Sequence, residues 1–280
     1  MSGMLYLCAT PIGNLEDITL RTLKLLREVD WIAAEDTRHS RILLEHYQIR
    51  TPLTSYHEHN KYEKAQLLVE KLLAGEKGAL VTDAGTPAIS DPGEELVRQC
   101  LEAGVPVTSL PGACACITAL TVSGLPTRRF CFEGFLPADK KERRQVLEGL
   151  RQEARTILLY EAPHRLVRTL GELQEALGDR RLTVCRELTK LHEEIWQATL
   201  AQAAERFQAE PPRGEFVLVL EGRSARELSE EKARQWEGMS LAEHLAYYQE
   251  QGMEKKEAMK QMARDRGCTR REIYQGLLEE

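Results

Sequence analysis

The feature that most constrains this fold is the regular alternation of short apolar runs with amphipathic segments before residue 125. Apolar runs with the length of buried strands occur at residues 5–10, 31–34, 79–82 and 105–110. The intervening segments carry apolar residues at three- and four-residue spacing, as helices do, at 19–28, 62–73 and 94–103. Strands that alternate with helices pair in parallel through right-handed crossovers, so the sequence predicts an α/β sheet. Ligands of such sheets bind beyond the carboxyl ends of the strands.

A second unit begins where Gly124, Leu125 and Pro126 interrupt this pattern. It contains strand-like runs at 130–132, 156–160, 182–184 and 216–220, with helical segments at 140–152, 165–176 and 200–207. The tail carries three short apolar stripes separated by glycines, which predicts a helix-turn-helix-like module. The predicted organisation is an α/β domain (1–124), a second α/β domain (125–225), a charged linker (226–239) and a helical C-terminal module (240–280).

Charge and cysteine usage narrow the class of protein. The formal net charge of −6 argues against a general nucleic-acid binder, whose surface is usually basic. Local basic clusters in the middle of the chain still allow an RNA substrate: 128–129, 140–144 and 180–181. None of the 7 cysteines shows C-x-x-C spacing, so no zinc site is predicted. Because no apolar run has the length of a membrane span or a secretory leader, we expect a cytoplasmic protein.

The densest motif is TDAGTPAISDPG at 82–93, between a predicted buried strand and a predicted helix. Glycine lets the main chain approach a ligand closely, proline fixes the turn, and acidic side chains can hold hydroxyls or a sulfonium. An ordinary strand-to-helix turn needs few such residues, so their density indicates a ligand-binding loop. Two further loops, TPIGNL at 10–15 and LPGACA at 110–115, are predicted at the same edge of the sheet.

Polar segments follow three other predicted strands. EDTR at 35–38 follows the second strand, and its acidic residues could hydrogen-bond the hydroxyls of a ribose, as in dinucleotide-binding domains. The glycine fingerprint G-x-G-x-x-G and the P-loop are both missing, so a nicotinamide oxidoreductase or a P-loop enzyme fits poorly. In the second unit, EAPHR at 161–165 and CRELTK at 185–190 follow strands. These two segments are either part of the site or solvated strand-to-helix caps joined by surface ion pairs.

Taken together, these motifs resemble the tetrapyrrole-methylase superfamily, and within it the branch that methylates small-subunit ribosomal RNA. The resemblance rests on ATPIGNLEDIT at 9–19, EDTR, the 83–93 motif, PGA at 111–113, EAPHR and RELTK, in this order. It covers essentially the whole chain, including KKEA at 255–258 in the tail. It implies a two-domain class III methyltransferase fold, with S-adenosylmethionine folded in the cleft between the domains, and a homodimer. Cys114 and Cys116 stand where many relatives carry serine or alanine.

The reaction that the resemblance implies is metal-free transfer of a methyl group to the ribose 2′-hydroxyl of a decoding-centre cytidine in 16S ribosomal RNA. Because the sulfonium is already activated, the protein has to position the groups and accept the hydroxyl proton. The candidate catalytic residues are Glu35, Asp36, Arg186, Glu187 and Lys190, with Glu194 as a further carboxylate. The candidate donor-binding residues are Pro11, Gly13, Asp83, Gly85, Thr86, Ala88, Ile89, Cys114, Ala115 and Tyr160.

Two alternative functions remain open at this point. A methylase of a porphyrin-like ring would share the fold, but the tail and the EAPHR and RELTK motifs match the RNA-modifying branch. A helix-turn-helix DNA-binding regulator requires strongly basic recognition helices, whereas acidic residues nearly balance the basic ones in this tail. A role of the tail in packing or dimerisation is therefore at least as well supported as nucleic-acid recognition.

Overall fold

The first sheet is entirely parallel and has the strand order β3-β2-β4-β1-β5. The structure is a computed structural model that describes residues 3–224, 236 and 238–279. The predicted linker at 226–239 falls mostly outside these residues. The strands are β1 (Met4–Cys8), β2 (Trp31–Ala34), β3 (Leu53–Ser55), β4 (Lys77–Val81) and β5 (Val107–Leu110).

Helices cover this sheet and connect its strands: α1 (Leu20–Glu28), α2 (Thr37–His46), α3 (Lys61–Leu73), α4 (Gly93–Glu102) and α5 (Ala115–Val122). The predicted parallel α/β sheet is confirmed. The sequence prediction missed β3 and α2. β3 has 3 residues, too few for a periodic pattern, and the first turns of α2 are polar, with its buried leucines confined to Leu43 and Leu44.

The second sheet is mixed and has the order β6-β7-β10-β8-β9. Its strands are β6 (Phe130–Phe135), β7 (Thr156–Glu161), β8 (Arg181–Arg186), β9 (Glu194–Thr199) and β10 (Phe216–Leu220). Only β6 and β7 pair in parallel; β10 lies antiparallel between β7 and β8, and β9 is antiparallel to β8. The helices are α6 (Lys140–Arg151), α7 (Pro163–Leu177) and α8 (Leu200–Ala209).

One prediction in this second unit needs correction. The RELTK segment does not cap a helix; it begins at the last residue of β8 and continues into the loop that joins β8 to β9, a strand that the sequence prediction missed. Glu187 and Thr189 adopt left-handed backbone conformations, with φ of 51° and 67°, which reverse the chain within this short loop. EAPHR, in contrast, does join a strand to a helix, because α7 begins at Pro163.

Apolar packing joins the two sheets. Ile12, from the loop after β1, is buried in one cluster with Leu120 of α5 and with Leu158 and Val217 of the second sheet. The carboxyl ends of the first sheet's strands therefore face the second sheet. In the part of the chain that the structure describes, no helix is both long and apolar enough to cross a membrane.

The C-terminal module consists of three short helices, as predicted: α9 (Leu241–Glu250), α10 (Lys255–Asp265) and α11 (Arg270–Glu279). Its small core includes Leu245, Met262 and Ile273. A Ser240–Glu243 capping box begins α9. Leu278 of α11 is apolar but lies outside this core and is 71% exposed.

Candidate functional site

A cavity of about 440 Å³ lies between the two sheets, and we call it the interdomain cavity. Loops after β1, β2 and β4, together with the start of α5, form its wall on the side of the first sheet. The second sheet supplies the ends of β6 and β7 and the start of β10. The cavity therefore lies at the position expected for a ligand of a parallel sheet, beyond the carboxyl ends of its strands.

Hydrogen bonds tie the three glycine- and proline-rich loops to one another. The backbone groups of Thr10 and Gly85 bond reciprocally, at 2.9 and 3.1 Å, and the Thr10 hydroxyl donates to the Thr82 carbonyl at 3.0 Å. The Thr86 hydroxyl donates to the carbonyl oxygen of Ala113 at 2.9 Å. The loops predicted separately from sequence thus form one connected surface.

Asp91 organises the loop that follows β4. Its carboxylate accepts hydrogen bonds from the backbone N–H of Ala88 at 2.9 Å and of Gly93 at 2.7 Å. Ala88 and Ser90 both have positive φ, 67° and 62°, an uncommon conformation for residues other than glycine. A β-carbon at Gly93 would lie 2.7 Å from Asp91 Oδ1. The motif therefore keeps a strained loop in place around a carboxylate whose pKa is raised by burial.

Three acidic side chains near the end of β2 have different environments. Glu35 lines the interdomain cavity, accepts one long hydrogen bond from the Thr82 hydroxyl (3.3 Å), and has no ion-pair partner among the described residues. Burial raises the pKa of Glu35, and the nearby Asp83 and Asp91 raise it further. The carboxylate of Asp36 is instead bound by Arg38, whose hydrogen bonds hold the pKa of Asp36 well below its usual range. Asp83 accepts from the Asp36 backbone N–H at 3.1 Å.

The β8–β9 loop packs directly against the loop after β1. A β-carbon at Gly13 would lie 2.4 Å from Lys190 Cγ and 2.9 Å from the carbonyl oxygen of Leu188. The Lys190 ammonium lies 2.9 Å from carboxylate oxygens of both Glu187 and Glu215. Burial opposes ionisation of Lys190 and Glu187, but the hydrogen bonds outweigh it, so the pKa of Lys190 is raised and that of Glu187 lowered.

Aromatic and thiol groups complete the cavity. Phe135 and Tyr160 contact each other edge to face, with ring centroids 5.6 Å apart. The Tyr160 hydroxyl accepts from the backbone N–H of Cys116 at 3.2 Å, which links the second sheet to the start of α5. The Sγ atoms of Cys114 and Cys116 are 3.4 Å apart, and the hydrogen bond from Cys116 lowers the pKa of Cys114.

The predicted site residues fall into three groups. Glu35, Gly85, Thr86, Ile89, Cys114, Ala115 and Tyr160 line the interdomain cavity. Pro11, Gly13, Asp83 and Lys190 line a second, adjoining cavity of about 520 Å³. Five residues line neither cavity: Asp36, Ala88, Arg186, Glu187 and Glu194. The Arg186 guanidinium donates to the Arg213 carbonyl at 2.7 Å and pairs with Glu194.

Several lining residues were not predicted as site residues, among them Asp91, Phe135, Glu161 and Glu215. Asp91 and Glu161 lie within motifs that the sequence analysis singled out. Glu215 follows the break Pro211–Gly214 before a strand, which is a detectable signal for a loop. Phe135 had no such signal, because it stands at the end of a strand predicted to stop three residues earlier.

The charge of the interdomain cavity restricts its ligand. Four carboxyl side chains line it: Glu35, Asp91, Glu161 and Glu215. The described residues that line it include no lysine, arginine or histidine. Such a cavity favours a cationic group and disfavours a phosphate. No cluster of three or more His, Cys, Asp or Glu side chains able to hold a metal ion occurs in the described ranges.

Comparisons with known proteins identify similar chains. The family model described as Tetrapyrrole (Corrin/Porphyrin) Methylases matches residues 4–204. A Synechocystis protein named ribosomal RNA small subunit methyltransferase I is 50% identical over 281 residues, covering 99% of this chain and 98% of that protein. A Thermotoga maritima protein of the same name is 46% identical over 221 residues, which cover 79% of this chain and 99% of that protein.

Solved structures with the same fold are more distant in sequence. One is the uroporphyrin-III C-methyl transferase of Thermus thermophilus complexed with S-adenyl homocysteine. It is 21% identical to this chain, with a TM-score of 0.56, and the alignment covers 78% of this chain and 97% of that one. A diphthine synthase matches with a TM-score of 0.63 at 15% identity, over 79% of this chain and 91% of that one.

Proposed function

The chain belongs to the tetrapyrrole (corrin/porphyrin) methylase family, and on this premise we propose that it is an S-adenosylmethionine-dependent methyltransferase of 16S ribosomal RNA. The acceptor is the ribose 2′-hydroxyl of a decoding-centre cytidine. The observation that carries the proposal is the interdomain cavity, which is acidic and, among its described lining residues, free of basic side chains. Full-length relatives such as the Synechocystis protein, 50% identical and named for ribosomal RNA methylation, support the choice of substrate.

The residues of the interdomain cavity fit S-adenosylmethionine. Its volume of about 440 Å³ lies in the range of small-molecule sites. Phe135 and Tyr160 offer aromatic surface for an adenine ring, Asp91 can accept from the donor's ribose hydroxyls, and the acidic lining attracts the cationic sulfonium. The bound donor supplies a methyl group that is already activated for transfer.

Glu35 is the carboxylate best placed to accept the hydroxyl proton. Asp36, Glu187 and Glu194 are each paired with Arg or Lys at 3.4 Å or less, so their affinity for a proton is reduced. Glu35 has no such pair among the described residues, and burial raises its pKa, so it binds a proton more readily than the paired carboxylates. In this proposal Glu35 takes the proton from the ribose oxygen as that oxygen is methylated.

The other candidate catalytic residues position the two domains around the ribose. The Asp36 backbone N–H holds the carboxylate of Asp83, and Glu187 fixes Lys190 against the loop that contains Gly13. Lys190 uses two of its three N–H donors on carboxylates, which leaves one for a phosphate or for the developing alkoxide. Arg186 fixes the start of the β8–β9 loop through an ion pair with Glu194 and a hydrogen bond to the Arg213 carbonyl.

The proposal includes a cytoplasmic homodimer acting on RNA within the small ribosomal subunit. Ile117 and Val122 of α5 are 44% and 45% exposed, so each is an apolar side chain that a second copy can cover. Light scattering of the purified protein tests the dimer. Parallel reactions with naked 16S ribosomal RNA and with small-subunit particles determine which substrate is used.

The decisive experiment combines donor binding with product mapping. Calorimetry should give one donor site per chain, with the same affinity in the presence and absence of EDTA. Particles from cells lacking this chain should gain one methyl group, which nuclease digestion and mass spectrometry should place on a cytidine 2′-oxygen. A methyl group on the base contradicts the proposed chemistry. Methylation of a porphyrin-like ring instead of RNA, or tight binding to random duplex DNA without methylation, supports one of the alternative functions.

A further inference from the structure

The adjoining cavity shares part of its wall with the interdomain cavity. Ile12, Thr82, Ala84 and Glu215 line both cavities, so the two spaces meet across these four residues. A methyl acceptor has to approach within about 3–3.5 Å of the reacting carbon. The site for the acceptor must therefore open onto the donor's cavity, as the adjoining cavity does.

The adjoining cavity has a chemical character that the interdomain cavity lacks. Two basic side chains, His39 and Lys190, line it. Its apolar wall includes Leu15 and Ile42, which are 38% and 65% exposed although they border a cavity. Two carboxylates, Asp83 and Glu215, also line it. Basic side chains suit a phosphate, an apolar wall suits the face of a base, and a carboxylate can accept from the amino group of cytosine.

We propose that the adjoining cavity is the binding site for the target ribonucleotide of the RNA. The base packs against Leu15 and Ile42, and a flanking phosphate is held by His39 and Lys190. The ribose then lies at the four shared residues. The Thr82 hydroxyl, which belongs to that boundary, donates to Glu35 at 3.3 Å, so the proposed proton acceptor is one hydrogen bond from the ribose position. This inference rests on the proposed function and assigns the acceptor site within it.

The size of the adjoining cavity fits a single extruded nucleotide. Its volume of about 520 Å³ accommodates one nucleotide but not a duplex. Sequence-specific proteins usually read unpaired nucleotides of RNA, whose bases can be splayed out onto a protein surface. The target position must therefore be unpaired, or be extruded, when it is methylated.

The test replaces Ile42 in the full-length protein. Ile42→Glu places a carboxylate on the wall proposed to contact the base and should reduce kcat/KM for the RNA particle by about 10- to 100-fold, the loss expected when a stacked base loses its contact. Donor affinity, measured by calorimetry, should stay within about twofold. Leu101→Glu is the matched control, because Leu101 is 62% exposed, lies on α4 and lines neither cavity.

His39→Ala provides a second readout. It should raise the KM for RNA, and the dependence of KM on salt concentration should become weaker, because one phosphate contact is lost. Wild-type kcat/KM in both variants overturns the proposed acceptor site while leaving the proposed function intact. Loss of donor binding in Ile42→Glu also overturns it, because the adjoining cavity then belongs to the donor site. If the wild-type protein transfers no methyl group to RNA, the proposed function and this inference fail together.

Discussion

The wall of the interdomain cavity that comes from the first sheet consists of loops, whereas the wall from the second sheet consists mainly of strand ends and their side chains. On the first side, the lining residue Gly85 is hydrogen-bonded to the backbone of Thr10, and the lining residue Asp91 accepts from the backbone N–H groups of Ala88 and Gly93. On the second side, Phe135 and Tyr160 project from paired strands. The difference suggests that the first wall determines catalysis and the shape of the site, and that the second adjusts affinity.

The largest expected effect is on the rate, from Glu35 on the first wall. Glu35→Gln should slow single-turnover methylation by about 10²- to 10⁴-fold, as loss of a general base does, with donor affinity within a few-fold. Since the pKa of Glu35 is raised, the wild-type rate should fall with decreasing pH earlier than an ordinary glutamate would cause. Above this pKa the rate should level off, and Glu35→Gln should abolish the dependence.

Asp36→Asn is the matched comparison for Glu35→Gln. Asparagine retains an acceptor for the start of α2, and the Asp36 carboxylate is already paired with Arg38. We therefore expect a much smaller loss of rate. If Asp36→Asn shows the larger loss and removes the pH dependence, Asp36 is the base and the assignment of Glu35 is wrong.

The next largest effect is expected from Asp91, which fixes the strained loop on the first wall. Asp91→Ala leaves the backbone N–H groups of Ala88 and Gly93 without their acceptor. Each such loss costs about 1–3 kcal/mol, and if the loop loses its donor-binding conformation by that amount, donor affinity should fall by about 30-fold or more. Glu94→Ala, an exposed acidic position three residues later, should bind normally. Unchanged donor affinity in Asp91→Ala would mean that this loop does not shape the donor site.

A smaller effect is expected on the second wall. Phe135→Ala removes an aromatic ring that lines the interdomain cavity, and stacking on such a ring contributes about 1–3 kcal/mol to binding of a base. Donor affinity should weaken by roughly 5- to 150-fold while the rate at saturating donor changes little. Phe130→Ala, on the same strand but outside both cavities, is the control. A large loss of rate at saturation would contradict the division of roles between the walls.

The sequence predicted the first wall better than the second for a physical reason. Parallel strands in an α/β sheet are buried on both faces and end at one edge, so apolar runs followed by Gly, Pro and acidic residues locate the site directly. In the second sheet the position of a residue depends on antiparallel pairing between distant segments. Glu215 reaches the cavity because β10 inserts between β7 and β8, and a local pattern contains no information on that pairing.

The roles of individual residues were less predictable than the loops that carry them. RELTK was recognised as a candidate segment, yet only Lys190 of its predicted catalytic residues lines a cavity. Arg186 and Glu187 are held by partners far away in sequence, the Arg213 carbonyl and the Glu215 backbone N–H. Similarly, the acidic residues 35 and 36 are adjacent in sequence, but only the structure shows that Arg38 binds the carboxylate of Asp36, whereas that of Glu35 has no ion pair within the described residues.

The smallest effect on donor binding is expected from removal of the C-terminal module, because none of its described residues lines the interdomain cavity or the adjoining cavity. A chain ending at Ser224 should bind the donor within about threefold of the full-length protein, a change of less than about 0.7 kcal/mol. Methylation of RNA should fall by a larger factor, because we propose that the module shapes the RNA-binding surface or packs on the partner subunit.

Met262→Asp, which disrupts only the core of the module, should reproduce the loss of RNA methylation in the full-length protein. Collapse of donor affinity in a truncated chain that remains folded would show that the module supports the donor site and that the proposed division into domains is wrong.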